Sequence, residues 1–245
     1  MNHPHADSTY AGAPGLASET REASSTQSSL RTQDHQLIQI VDAALADAAL
    51  RSGPHLVCRP GCTPCCHGAF AINALDAQRL RQAMEEMAAT DPSRAKAIAT
   101  RAHLYLEEFA PDFPGNPQTG ILDESEEAQQ AFEDFANDAP CPALNPGSGL
   151  CEVYAARPMT CRVFGPPVRS QNAGEEEGLS VCELCFNQAT PEEIAAAEMQ
   201  LPHQEEQSLL SQLPTEETIV AFCLIESPPQ QIRVPQPSPG PCFPG

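Results

Sequence analysis

Residues 58–68 read CRPGCTPCCHG, with thiols at Cys58, Cys62, Cys65 and Cys66. Pro60, Gly61 and Pro64 stop a helix from running through the stretch and bend it in advance. Thiols at this density serve as metal ligands, as halves of disulfides or as reagents in catalysis. The choice bears on the fold, because a metal-clamped loop staples helices together.

The compartment comes first. The N-terminus, MNHPHADSTYAGAPGLASETREASSTQSS, has no cationic start followed by an apolar run, so it does not resemble a secretory signal. No window reaches 18 uninterrupted apolar residues. A cytoplasmic protein is expected, and there thiols are kept reduced. Clustered cysteines in such a setting point to metal or redox chemistry rather than structural disulfides. The total of 11 cysteines is odd, which leaves one unpaired in any all-disulfide scheme.

Composition narrows the partners. The chain has 245 residues, 41% of them hydrophobic and 5% aromatic, with no tryptophan, so its core is expected to rest on Ala, Leu, Ile and Met. Thirteen basic against 33 acidic residues give a net charge of −20. Such a surface repels nucleic acid and anionic lipid, so neither nucleic acid nor a membrane is expected as a partner; a metal ion is, and composition leaves a protein partner open.

Residues 1–29 and 227–245 are expected to be irregular tails, the second with seven prolines in nineteen residues. The domain between them, 30–226, has helical periodicity. Leu37, Ile40, Val41, Ala44, Leu45 and Ala48 form the stripe of a first helix that ends before Gly53-Pro54. Asn73 with Asp76 caps a second helix, whose face carries Leu80, Ala83, Met84 and Met87. Asp91-Pro92 starts a third, with Ile98, Ala102, Tyr105 and Phe109 inward. A fourth is expected near 123–137, with Ala128, Ala131, Phe132 and Phe135 inward. A fifth begins at Thr190-Pro191 and runs to about residue 200. TIVAFCLI, 218–225, suits a strand or a buried helical turn. The fold class is mainly α, a small helical domain with cysteine-bearing metal-binding loops between its helices.

The other thiols stand in similar company. Cys141 lies in CPAL, Cys151 and Cys161 in CEVYAARPMTCRVFG, and Cys182 and Cys185 in VCELC. Thiolates two or three residues apart in a bent loop converge on one centre, with backbone amides left to face sulfur. Residues 51–70 and 151–170 each carry +2, so the other 205 residues sum to −24. A net-negative thiolate centre is favoured by such local positive charge. Cys65 and Cys66 are adjacent and their side chains diverge, so one centre or two remain open.

These motifs in order, CRPGCTPCC, CPAL and GLCEVYAARPMTCRVFG, resemble the CxxCxxCC cysteine-cluster family of zinc- or iron-chelating proteins (YkgJ-type), whose relatives include a flagellin lysine N-methylase. The likeness covers about 58–185. It departs at Cys58 and Cys62, where three residues intervene instead of two. It implies metal chelation by Cys58, Cys62, Cys65, Cys66, Cys141, Cys151 and Cys161, with Cys182 or Cys185 as a further ligand. It implies zinc, iron or an iron–sulfur cluster as cofactor, and no particular reaction.

Around these candidates, His67 is expected to support a ligand rather than serve as one, and the other histidines have no ligand spacing. Arg157 and Arg162 flank Cys161 and are expected to donate to cluster sulfurs, the alternative being a salt bridge to a helix carboxylate. Tyr154 is expected to pack. Cys223 belongs to an apolar run and is expected in the core, and Cys242 lies idle in the tail. Rival functions are an iron–sulfur oxidoreductase or electron carrier and a structural zinc module acting as an interaction scaffold. A disulfide protein is a further rival. A radical S-adenosylmethionine enzyme shares the spacing Cys58-x3-Cys62-x2-Cys65, but residues 67–140 contain no Val and three Ile, too few for the parallel strands of its barrel. Whether the chain is an enzyme is left open: no Gly-rich phosphate loop, HExxH or GxSxG occurs.

Overall fold

The computed structural model describes residues 16–169 and 178–225, with side chains from residue 27 onwards. The expected C-terminal tail, Cys242 included, lies outside them, as do residues 1–15. The described chain is mainly helical, with strands of two residues each. In order the helices are α1 (Leu16–Ser52), α2 (Ala74–Thr90), α3 (Pro92–Phe109), α4 (Glu126–Glu133), α5 (Met159–Val163), α6 (Pro191–Ala196), α7 (His203–Leu210) and α8 (Val220–Cys223). The strands are β1 (Ala71–Ile72), β2 (Gly115–Asn116), β3 (Ile121–Leu122), β4 (Val168–Arg169), β5 (Leu179–Ser180) and β6 (Thr218–Ile219). They pair antiparallel as β1–β6, β2–β3 and β4–β5.

Helix starts follow local chemistry. The Asn73 side chain accepts the Asp76 amide, Asp91 accepts the Arg94 amide and Ser125 accepts the Ala128 amide. Thr190 and Glu193 form a full capping box. Helix α1 stops at Ser52 because Gly53 turns left-handed, with φ +50°, and Pro54 has no amide to continue the ladder. Its first turns fall in the stretch that composition assigns to an irregular tail. Helix α4 is shorter than expected, and its Ala131 is exposed rather than inward. The chain instead turns at Ala136, φ +52°, to bury Phe135. Helix α6 likewise ends at Ala196, short of residue 200, and α7 was not foreseen. TIVAFCLI is strand and then helix, β6 running into α8.

The chain divides into two compact units, one of residues 1–58 and 159–215, the other of 59–158 and 216–245. In the first, α1 packs against α5, α6 and α7. Leu37, Val41 and Ala48 are buried as expected, whereas Ile40 is 47% exposed and leaves the stripe. Arg51, at the end of α1, donates to the carbonyls of Ala196 and Glu198, which satisfies acceptors at the end of α6. In the second, α2, α3 and α8 pack together around Ile72, Ala77, Leu80, Ile98, Ala102, Val153 and Leu224. Cys223 is fully buried there, as expected of a core residue. An aromatic group beside it joins Phe109, Phe113, Phe135 and Phe222 through edge-to-face contacts.

Candidate metal centre

Nine candidate thiols are shared between the units. Cys62, Cys65, Cys66, Cys141 and Cys151 belong to the second; Cys58, Cys161, Cys182 and Cys185 belong to the first. None of the ten described cysteines is in a disulfide.

In the second unit the loop winds through two tight turns, Cys62 N–H to Arg59 O at 2.9 Å and Cys66 N–H to Thr63 O at 2.8 Å. Pro64–Cys66 is one turn of 3-10 helix, so the prolines do stop an α-helix, but the last turn is still helical. The chain then lies antiparallel to 139–141. Gly68 N–H donates to Ala139 O at 2.9 Å, His67 bridges Pro140, and Cys141 N–H donates to Cys66 O at 2.8 Å. Cys151 is brought in by a hairpin. Asn145 closes the turn, its side chain accepting the amides of Gly147 and Ser148, and Leu144 bridges Cys151. Gly149 and Gly61, both at positive φ, let this hairpin meet the 58–66 loop: a Cβ on Gly149 would lie 3.5 Å from Gly61 Cα.

Two arginines of α3 hold the hairpin from below. Arg94 and Arg101 are seven residues apart and share one face. Arg94 donates to Glu152 O at 2.7 Å and pairs with its carboxylate at 3.4 Å. Arg101 pairs with the same carboxylate and donates to Pro142 O at 2.8 Å. Sequence reasoning missed this clamp; the only hint was an acid directly after Cys151.

The electrostatics bind these thiols into one group. Cys66 donates its thiol proton to Cys65, which lowers the Cys65 pKa to about 6; burial opposes this, and Arg157 and His67 assist it. Cys66 is pushed up in turn, through that same hydrogen bond, burial and the negative fields of Cys65, Cys141 and Cys151. Burial pushes the Cys141 thiol up to about 11, and it raises Cys151 as well. Without a cation, then, these sulfurs compete for protons. A divalent ion removes that competition by replacing the protons with its own charge.

The charged neighbours are also placed. Arg157 is buried, lies 3.8 Å from the Tyr154 ring centroid, and lowers both Cys65 and Cys151. Its positive field therefore reaches the sulfurs. Arg162 is buried and donates to Asp42 of α1 at 2.7 Å, the helix carboxylate named as the alternative partner. His67 is exposed, with Nδ1 3.0 Å from Thr63 O. Tyr154 is 62% exposed and serves as the platform for Arg157 rather than as core packing.

In the first unit, Cys58 Sγ and Cys185 Sγ are 3.9 Å apart. Cys185 N–H donates to Cys182 O at 2.8 Å, which turns the ELC segment back on itself. Cys161 lies on α5, the short helix that precedes Gly165. Among the described residues no three Cys, His, Asp or Glu side chains are already disposed around a point as a ligand set. The chemistry of the donors nevertheless suits a soft or borderline metal: they are thiols outside any disulfide, and the positive charge of Arg157 lies near Cys65 and Cys151.

A mainly α chain with free cysteines clustered in its loops is a metal-binding protein of the cysteine-cluster class. The chain matches the family model "CxxCxxCC: Putative zinc- or iron-chelating domain" over residues 57–185, more than half its length, and belongs to that family. Searches of curated proteins and of solved structures find no match. Among the described residues no helix is long and apolar enough to cross a membrane.

Proposed function

We propose that Cys65, Cys66, Cys141 and Cys151 hold one metal ion as thiolates, with zinc the favoured ion. The carrying observation is the Cys141-to-Cys66 backbone hydrogen bond at 2.8 Å, which sets two of the three ligand-bearing segments side by side independently of sulfur rotamers. The Leu144–Cys151 bridge supports the third. The hydrogen bond between Cys65 and Cys66 favours a mononuclear site, since an iron–sulfur core lies between its thiolates and holds them apart. Cys62 is the fifth thiol of this unit and serves as an exchange ligand; the adjacent Cys65 and Cys66 side chains, expected to diverge, are instead hydrogen-bonded to each other. The metal supplies positive charge; the chain's residues supply its cage, and Arg157 offsets the excess negative charge.

In this reading the protein is a zinc-stapled helical module of a reducing, cytoplasmic compartment, without a redox step. An iron–sulfur electron carrier is the second reading, favoured by the positive field of Arg157 on Cys65 and Cys151. The test is zinc, iron and acid-labile sulfide per chain after purification without oxygen, for the wild type and for Cys66→Ser. Zinc without sulfide, reduced by one equivalent in the variant, is expected. Iron with matching sulfide replaces the first reading with the second. A metal-free chain that takes up neither ion overturns both.

A further inference from the structure

Residues 58–66 read in sequence as one ligand string, yet its first thiol falls in a different unit from the other three. Its surroundings show why. The stretch before it is tied to the Cys182/Cys185 turn: Phe186 N–H donates to His55 O at 3.0 Å, and the two rings stack 5.7 Å apart. Phe186 sits at φ +58°, which reverses the chain directly after Cys185. Leu56, Cys182, Cys185, Phe186 and Ala197 form one apolar cluster. Gly165 completes the surround. It is a buried glycine at φ +119°, and a Cβ there would lie 2.9 Å from Cys58 Sγ. The backbone that follows Cys161 thus packs directly on the Cys58 sulfur.

We propose that Cys58, Cys182 and Cys185, with Cys161 as the fourth donor, form a second thiolate site that takes its own divalent ion of the zinc class. The 3.9 Å between Cys58 Sγ and Cys185 Sγ carries the argument. A tetrahedral zinc–thiolate site with bonds of about 2.3 Å has sulfurs about 3.8 Å apart, whereas a disulfide requires about 2.05 Å. Two donors are therefore already at ligand spacing. The Cys182–Cys185 turn brings a third into the same cluster, and Gly165 ties the α5 segment of Cys161 to the Cys58 sulfur. Cys58 is exposed while Cys185 is 2% exposed, so an ion has an entry side and an enclosed side. The inference rests on the reading that these thiols bind metal, but it can fail separately from the site of Cys65, Cys66, Cys141 and Cys151.

The experiment uses the full chain, reduced and loaded with zinc without oxygen. Zinc is counted, and each cysteine's rate of alkylation is mapped by peptide mass spectrometry with and without chelator. Two zinc ions per chain are expected, with Cys58, Cys161, Cys182 and Cys185 protected at least tenfold by zinc. Cys185→Ser should hold one ion, lose protection at Cys58, and keep it at Cys66 and Cys141. The wild-type map alone is decisive if the variant does not fold. Protection confined to Cys65, Cys66, Cys141 and Cys151, with one zinc, overturns the second site and leaves the first. Protection confined to the Cys58 set overturns the first site and leaves the second. A Cys58–Cys185 disulfide in the zinc-loaded chain, or no protection anywhere, overturns the second site.

Discussion

The two units organise thiols by different means. In the unit of residues 59–158 and 216–245, backbone does the positioning: a hydrogen bond from Cys141 to Cys66, a bridge at Cys151, and an arginine clamp beneath the hairpin. In the unit of residues 1–58 and 159–215, packing does it: an apolar cluster, a stacked His55–Phe186 pair and a glycine pressed on Cys58 Sγ. Ladder hydrogen bonds fix segments whatever the side chains do, while packing depends on shape and tolerates no added volume. The first arrangement should therefore resist conservative mutation of its surroundings and the second should not.

The largest expected effect is metal loss from the hydrogen-bonded unit. Cys141→Ser should remove one zinc equivalent and its contribution to folding, on the order of 4 kcal/mol for an ion present at a thousand times its dissociation constant. Denaturant unfolding with and without chelator measures it, and equal stabilities in all four conditions would remove the metal from the folding account. Next is Gly165→Ala. A β-carbon at φ +119° and 2.9 Å from Cys58 Sγ should cost about 3 kcal/mol through backbone strain and overpacking. It should also loosen Cys58 while leaving alkylation at Cys141 unchanged; a change at both would break the contrast between the units.

Glu152→Ala is smaller. It leaves Arg101 and Arg94 without their shared carboxylate, at a cost of about 2 kcal/mol read as a lower midpoint in urea. Arg101→Ala in that background should add only about 1 kcal/mol, for its remaining bond to Pro142 O, because the ion pair is already gone. The smallest effect is on reactivity alone. The thiolate is the attacking form, so a lowered pKa means reaction at lower pH. In the metal-free, reduced chain Cys65 should be alkylated with a midpoint near pH 6 and Cys141 with a midpoint near pH 11. Zinc should abolish both steps. Identical midpoints for the two thiols would contradict the shared proton between Cys65 and Cys66.

These contrasts also mark what sequence could and could not reveal. Asn73, Asp91 and Thr190 announce helices because a cap is a three-residue event. The two-residue strands carry no periodicity to detect. Helix α7 was missed because Leu209 is its one buried residue. Thiol content and family were readable from CRPGCTPCC and its companion motifs. The division of those thiols was not, because Cys58 and Cys62 are four residues apart and what sets Cys58 apart is the tie of His55 to Phe186 and the packing of Gly165 on the Cys58 sulfur, both to residues more than 100 positions away. Arg162 makes the same point: next to Cys161 in sequence, it donates to Asp42 across 120 residues.

The central claim is that clustered thiols hold a metal directly. Zinc K-edge X-ray absorption on the zinc-loaded chain tests it most closely, because the scattering shell reports the donor atoms. The account predicts about four sulfurs at about 2.3 Å from zinc. A shell dominated by nitrogen or oxygen at about 2.0–2.1 Å would contradict it, and would place the metal on His or carboxylate groups instead.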